Sequence, residues 1–191
     1  SFCILLFAEG LLAQDSSVSR FIDISKITLS ENIQKNIGFS YLDRKTPLVE
    51  NYLSLVFNPG AIHPRQIPDK YVTKKAIIRF NLFNSSDSAR SVWFFPGLYY
   101  WDSQLYELTG KSLKKIPSIL PDQPKEISYR YITLPAHDSV TIISELSFVR
   151  THLNSVRPVL ISPGYLVSYV KDLDSTNIES KIVTYLFCGL L

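Results

Sequence analysis

The sequence predicts an all-β domain of the β-sandwich or jelly-roll class, with one short helix. About eight short segments alternate apolar and polar residues at the period of a strand, and turns rich in Gly, Pro, Asn and Ser separate them. Two stacked sheets require this alternation because every strand turns one face toward a shared core. Of the 191 residues, 46% are hydrophobic and 13% aromatic, which excludes a disordered chain.

The first third of the chain contains two strand candidates and one helix candidate. Val18–Ile24 and Ile37–Leu42 carry the strand pattern. In Leu48–Phe57, which follows a proline, apolar residues repeat at helical spacing, and this predicts the short helix. Asn58–Lys70 contains three prolines and a glycine, so we expect a loop there.

The stretch Ala76–Tyr106 predicts an aromatic-rich hairpin in the core. Its first part alternates Ile78, Phe80 and Leu82 with more polar positions, as expected of a strand with one buried face. Asn84–Ser88 then supplies side chains that favour turns. The apolar run resumes at Val92–Phe95 and is expected to break at Pro96-Gly97 before continuing to Tyr106.

The second half of the chain predicts the remaining strands. Gly110-Lys111-Ser112 is typical of the turn of a hairpin. Further strands are expected at Ile127–Leu134, Val140–Phe148 and Pro158–Ile161, and the start of a connecting helix is expected within Tyr165–Asp174.

The two ends of the chain are apolar and suggest export and a membrane span. Ser1–Gln14 resembles the apolar region and cleavage site of a secretory signal that is clipped at its start. Ile182–Leu191 holds ten residues without a charge, fewer than the ~20 that a spanning helix needs, and we expect it to be the start of a first transmembrane helix. The alternatives are a buried first strand and a last core strand, respectively.

Charge and cysteine content narrow the classes of partner and site. With 20 basic and 17 acidic residues well mixed, the net charge of +3 does not form the clustered basic face that nucleic acid requires. The two cysteines, Cys3 and Cys188, lie in the apolar ends. We therefore expect neither a disulfide framework nor a cysteine-ligated zinc site in the domain between them.

No catalytic motif is found, and the chain is predicted not to be an enzyme and to need no cofactor. His63, His137 and His152 lie in three separate segments without neighbouring ligands at metal spacing. Phosphate-binding, dinucleotide-binding and nucleophile-elbow glycine motifs are absent from the sequence. Ser112–Lys115 matches the S-x-x-K pattern, but without the accompanying K-T-G motif the match is interpreted as chance.

The aromatic residues are the remaining candidates for binding. Trp93, Tyr99, Tyr100, Trp101 and Tyr106 cannot all point inward from alternating strands. An exposed aromatic ring can stack on a sugar while polar neighbours donate and accept hydrogen bonds. The candidate ligand-binding residues are therefore Tyr99, Tyr100, Trp101, Asp102, Gln104 and Arg79. The alternatives are that Trp93 is core and the tyrosines alternate between core and surface, or that exposed aromatics contact another domain.

The order of motifs resembles extracellular domain 2 of bacterial seven-transmembrane receptors with diverse intracellular signalling modules. The hallmark "W-x-R-f-x-l-x-N" strand of that family resembles Ala76–Asn84, although its Trp is replaced in the region of Ala76–Ile77. The "i-x-L-Y" strand resembles Ser103–Tyr106, and the family's aspartate before that strand does not align cleanly with Asp102. Weaker matches are Phe21–Ile24, Ile37–Asp43, Leu48–Asn58 and Gly189–Leu191.

The resemblance implies a sensor domain similar to carbohydrate-binding modules, on the periplasmic side of the bacterial inner membrane. It divides the chain into a signal peptide (1–14), a β-sandwich sensor (15–162), a juxtamembrane connector (163–181) and the start of the first membrane helix (182–191). The implied partners are a small-molecule or carbohydrate ligand, the protein's own transmembrane helices and a cytoplasmic signalling domain such as a kinase or cyclase. The alternative function is a secreted carbohydrate-binding or adhesion module without a membrane span.

Overall fold

Two β-sheets packed face to face form the structure, and this confirms the predicted sandwich. The computed structural model describes residues 20–60, 63, 66–71, 73–98, 100–119, 129–148, 154–173 and 175, with the backbone alone at 98, 100 and 101. The large sheet contains β1 (Ile22–Asp23), β3 (Gly38–Asp43), β4 (Asn58–Pro59), β5 (Lys74–Phe83), β7 (Tyr100–Thr109), β8 (Ser112–Lys115) and β10 (Ser139–Phe148). The small sheet contains β2 (Ser30–Asn32), β6 (Arg90–Leu98), β9 (Arg130–Leu134) and β11 (Ser155–Ile161).

Both sheets are antiparallel apart from one short edge pairing. The large sheet has the order β4-β3-β5-β10-β7-β8, with β1 pairing parallel to β5, and the small sheet has the order β2-β11-β6-β9. β10 pairs with β5 from Ser139 opposite Phe83 to Ser147 opposite Lys75. Consecutive strands therefore cross repeatedly between the two sheets, and β8 and β9 lie at the edges of their sheets.

The core fills the space between the two sheets. β5 turns Ile78, Phe80 and Leu82 inward, all fully buried, as their alternation predicts. Phe80 stacks on Phe94 of the small sheet with ring centroids 4.8 Å apart, which places aromatic contact at the centre of the sandwich. We call this side of each sheet its inner face, and the opposite side its outer face.

The stretch Ala76–Tyr106 is not the predicted hairpin, because its first two strands lie in different sheets. β5 belongs to the large sheet and β6 to the small sheet. The turn between them is held by Asn84, whose buried carboxamide donates to the carbonyls of Leu134 (3.2 Å) and Pro135 (2.7 Å). These bonds tie the turn between β5 and β6 to the turn that follows β9 in the small sheet.

The predicted break at Pro96-Gly97 does not end the strand. β6 continues through both residues to Leu98. Gly97 has a φ of +136°, and a Cβ at this position would lie 1.9 Å from the carbonyl oxygen of Ser155. Glycine is therefore required where β6 and β11 approach each other at a local shift of register.

The predicted short helix is confirmed as α1 (Leu48–Asn51), followed by a 3₁₀ turn, Tyr52–Ser54. Leu48, Tyr52 and Phe57 cover the outer face of the large sheet, where they pack in one cluster with Ile77 and Ile143. The hairpin at Gly110 is also confirmed, since it joins β7 to β8.

A second helix, α2 (166–173), lies within the predicted connector. It packs on the outer face of the small sheet, where Leu166 is buried with Phe95 and Tyr129. Among the described residues no helix is both long enough and apolar enough to cross a membrane. The predicted signal peptide (1–14) and the predicted start of a membrane helix (182–191) lie outside the described residues.

Candidate functional site

Two of the predicted ligand-binding residues, Asp102 and Gln104, lie together on the outer face of the large sheet. The Gln104 Nε2 atom donates to both carboxylate oxygens of Asp102, at 3.0 and 3.1 Å. They follow a β-bulge, because Ser147 pairs with Asp102 whereas Phe148 pairs with Tyr100, which leaves Trp101 as the extra residue. Tyr99 lies outside the described residues, as do the side chains of Tyr100 and Trp101.

Arg130 of the small sheet, which sequence reasoning missed, lies beside Asp102. Its Nη2 atom is 3.8 Å from Asp102 Oδ1, and its Nη1 atom donates to the carbonyl of Tyr129. Burial lowers the pKa of the Arg130 guanidinium, and the Asp102 carboxylate opposes that shift. Because arginine stays protonated in proteins, this pair places a buried positive charge next to an exposed negative one across the edges of the two sheets.

Arg79, the sixth predicted residue, is not brought to Asp102. It lies on the same outer face, but its ladder partners are Gly38 and Ile143, whereas Asp102 pairs with Ser147. Two inter-strand spacings, across β10, and four residues along the strands separate the two side chains, which corresponds to roughly 16 Å. The Arg79 guanidinium lies over the ring of Phe57, 4.5 Å from its centroid. Phe57 belongs to the hydrophobic cluster on this outer face.

A buried ionic cluster lies between these two positions on the outer face. The ammonium of Lys75 pairs with the carboxylate of Glu145, which also accepts a 2.9 Å hydrogen bond from the Tyr106 hydroxyl. Burial raises the pKa of Tyr106, and the bond to Glu145 adds to that rise. Since each of the three groups is bonded within the cluster, we interpret it as a link between β5, β10 and β7.

The histidines within the described residues have separate partners. His63 Nδ1 lies 2.9 Å from the Tyr41 hydroxyl, and burial, together with the nearby Lys70, lowers the pKa of His63. His137 lies 2.9 Å from Asp87 in an exposed turn. His152 is outside the described residues. In the part of the chain that the structure describes, no three metal-ligating side chains are grouped.

A cleft of about 460 Å³ opens between the two sheets at the edge formed by β8 and β9. This volume lies within the usual range of ligand sites, ~300–1,000 Å³. One wall is the segment 116–119, which bridges the sheets: the Ile116 amide donates to the Leu105 carbonyl (2.9 Å), and the Ile119 carbonyl accepts from the Tyr131 amide (3.4 Å). The lining residues are Glu107, Ile116, Pro117, Ile119, Tyr131, Ile132, Thr133, Leu134, Pro135, Asp138, Ser139, Val140 and Ile142.

Residues at one edge of the hydrophobic core form the floor of the cleft. Ile132, Leu134 and Ile142 are almost fully buried and belong to the cluster between the sheets. Polar residues lie around this floor: Glu107, Asp138, Thr133 and Ser139. The Thr133 hydroxyl faces outward and bonds to the Ser91 hydroxyl at 2.8 Å. The cleft therefore combines an apolar base with a few polar groups, which is the usual composition of a small-molecule site.

Glu107 is the polar residue that most distinguishes the cleft. It follows Ser103 and Leu105 on the inner face of β7 and pairs with Ile142 of the core. Among the described residues, its half-buried carboxylate makes no hydrogen bond or ion pair. Sequence reasoning missed it, although a charged residue at an inward position of an alternating strand is a signal that was available.

Another depression, of about 620 Å³, is a weaker candidate. It lies on the turn after β3, and its described lining is Asp43, Arg44, Lys45, Thr46 and Thr73, none of which is buried. Because the described lining has no buried side chain, it offers no rigid base to orient a ligand.

Strand β9 connects the cleft to α2. Tyr131, Ile132, Thr133 and Leu134 line the cleft. Tyr129, which precedes β9 directly, stacks on Phe95 with centroids 4.7 Å apart. Phe95 in turn contacts Tyr169 of α2 edge to face, at 6.1 Å. Trp93 is half-buried on the outer face of the small sheet, and its ring centroid lies 4.6 Å from that of Tyr131.

No protein-family model matches this chain, and no curated protein matches it.

Proposed function

We propose that this chain is the extracytoplasmic ligand-sensing domain of a bacterial membrane receptor, built on a sandwich of the jelly-roll type. In this proposal the cleft binds a small molecule and α2 passes the signal toward the membrane. The observation that carries the proposal is that one edge strand, β9, supplies a wall of the cleft and adjoins the tyrosine on which α2 packs. The resemblance to receptor ectodomains and the uncharged run Ile182–Leu191 support the proposal of a membrane receptor.

The proposed mechanism is a shift between two positions of β9. Among the described strands β9 has one sheet neighbour, β6, and its other edge contacts the segment 116–119 through the Tyr131 amide. A ligand bound between the sheets contacts β9 at Tyr131 and Ile132. The ligand therefore favours the β9 position with which it makes the better contacts. Because Tyr129 and Phe95 pack against α2, each β9 position favours a different placement of the helix. Signalling requires only that the ligand binds one of these arrangements more tightly than the other.

A secreted binding module is the second candidate function. The observation that favours it is the β-bulge at Trp101 beside the half-exposed Asp102 and Gln104, since bulges often re-aim side chains next to binding sites. In that case the ligand would bind the outer face of the large sheet, and α2 would not respond.

Hydrogen exchange measured with and without a ligand separates the two functions. A panel of amines, alcohols, carboxylic acids and mono- and disaccharides is first screened for compounds that raise the unfolding temperature of the full chain. The proposal predicts that a hit protects amides of β9 and also changes exchange in 166–173. Protection confined to 100–104 would support the secreted module instead. Protection at the cleft with unchanged exchange in α2 would contradict the sensing role.

A further inference from the structure

We infer that the ligand of the cleft is a small organic cation, with an apolar body that lies on the core residues and a protonated amine that pairs with Glu107. This inference rests on the proposed function, because it takes the cleft as the ligand site and names the chemical class that fits it.

The apolar body follows from the base of the cleft. Ile132, Leu134 and Ile142 form the floor, and Ile116, Pro117 and Ile119 form a wall. A sugar placed here would have to desolvate several hydroxyl groups against surfaces that offer no hydrogen bonds, which is unfavourable. An alkyl or aryl group instead gains ~25 cal/mol for each Å² of apolar surface that it buries.

The positive charge follows from the polar groups of the cleft. Of the described residues that line it, two carry a carboxylate, Glu107 and Asp138, and none carries a basic group. Asp138 is exposed and accepts a hydrogen bond from the Ser139 amide (2.7 Å), so it adds negative potential at the rim. Glu107 lies deeper, on the inner face of β7. An anionic ligand would be repelled by both groups, whereas an ammonium would gain a charge-assisted hydrogen bond.

No basic side chain of the described residues forms an ion pair with Glu107. Lys114, on β8, is the ladder partner of Glu107, but its side chain is exposed and does not form an ion pair with the Glu107 carboxylate. Arg90, the ladder partner of Leu134, donates to the Ser86 hydroxyl, and His137 bonds to Asp87. A half-buried carboxylate without a hydrogen bond or ion pair to any described residue is an arrangement that a ligand cation completes.

The test compares three probes that share one apolar body: 3-phenylpropylamine, 3-phenylpropanol and 3-phenylpropanoate. The readout is the fluorescence of Trp93, whose ring packs on the cleft residue Tyr131, in a Trp101→Phe background that leaves Trp93 as the single tryptophan. We expect the amine to bind at least tenfold more tightly than the alcohol, and the carboxylate more weakly than either. Glucose, added as a carbohydrate control, should not change the signal.

Variants locate the charge that is recognised. Glu107→Gln should weaken amine binding by about tenfold or more and leave alcohol binding within about twofold. Glu50→Gln, the same change at an exposed position of α1, is the matched control and should alter neither. Val140→Phe, which enlarges a partly buried side chain that lines the cleft on the inner face of β10, should weaken all probes together. Urea unfolding of each variant shows whether it folds. If Glu107→Gln does not fold, Glu107→Ala replaces it and should also weaken amine binding. Lys114→Gln, which removes the cation opposite Glu107, should leave amine binding unchanged or make it tighter.

The outcomes distinguish a wrong ligand class from a wrong site. Equal binding of amine and alcohol, both weakened by Val140→Phe, would overturn the cation and keep the cleft as the site. Binding of glucose in preference to the amine would overturn the inferred class in favour of a carbohydrate. If Val140→Phe does not affect any probe that binds, or if hits from the wider screen protect only residues away from the cleft, the proposed function itself fails.

Discussion

Removal of the Asn84 side chain tests how the two sheets are joined. Its Nδ2 atom donates to the carbonyls of Ser88 (2.9 Å), Leu134 (3.2 Å) and Pro135 (2.7 Å), and its Oδ1 atom accepts from the Ser86 amide (3.1 Å). The side chain is fully buried. Asn84→Ala therefore removes several hydrogen bonds at once and leaves inward-facing carbonyls without this donor.

The expected loss of stability follows from these bonds. A typical hydrogen bond contributes ~1 kcal/mol net, and a buried group left unsatisfied costs ~1–3 kcal/mol. Because neighbouring bonds are not additive, we expect Asn84→Ala to lower the free energy of unfolding by about 2–4 kcal/mol. For a chain of this size, each kcal/mol lowers the unfolding temperature by ~2–4 °C. Asn84→Asp should be at least as destabilising, because a carboxylate cannot donate to the three carbonyls.

Urea unfolding of the full chain, followed by circular dichroism, measures the effect. Asn58→Ala, the same change at an exposed position on β4, is the control and should stay within ~0.5 kcal/mol of the wild type. A loss at Asn84 below about 1 kcal/mol, or equal to that at Asn58, would refute the role of this side chain in joining β5, β6 and the turn after β9.

Two further substitutions test separate features of the fold. Burial alone would raise the pKa of Asp23, but the hydrogen bonds from Ser85 and Ser25 outweigh it and hold that pKa well below its usual range. The stabilisation is therefore present above the unfolded value of ~3.9 and is lost as the pH falls below it. Asp23→Asn should cost about 1–2 kcal/mol at pH 7 and less at pH 2 by urea unfolding, and an equal loss at both pH values would contradict this. Gly97→Ala should cost about 3 kcal/mol or more in the same assay, because the added Cβ overlaps backbone and φ is positive. Gly164→Ala, where a Cβ meets nothing within 4 Å, should be nearly neutral, and equal effects would refute the close approach.

Local alternation predicted the strands well where one face is buried. β5 and β10 lie close to their expected positions, and Leu82, Phe80 and Ile142 are core residues as their pattern indicates. Alternation does not specify which strand is the neighbour, however. The expected hairpin in Ala76–Tyr106 was wrong because β5 pairs with β10, and β6 pairs with β9 and β11, all from the second half of the chain.

The candidate site was less accessible from sequence, because it is built from distant segments. Asp102 and Gln104 were predicted together and are together, since they are two residues apart on one strand. Arg130 reaches Asp102 only because the sheet edges meet. Glu107 was visible as a charged residue at an inward position, but its cleft exists only through the segment 116–119 that bridges the sheets. A local sequence pattern does not predict a segment that bridges the two sheets in this way.

The central claim is that the cleft and α2 are coupled through β9, and a substitution in α2 tests it most directly. Coupling is reciprocal, so loosening the helix must change affinity at the cleft. Tyr169 contacts Phe95 beneath α2, whereas Val167 is exposed on the same helix. The dissociation constant of 3-phenylpropylamine, or of the tightest hit from the panel, is measured by titration calorimetry for Tyr169→Ala and Val167→Ala. We predict a change of about fivefold or more for Tyr169→Ala and none for Val167→Ala. Equal affinities in both variants and the wild type would contradict the coupling.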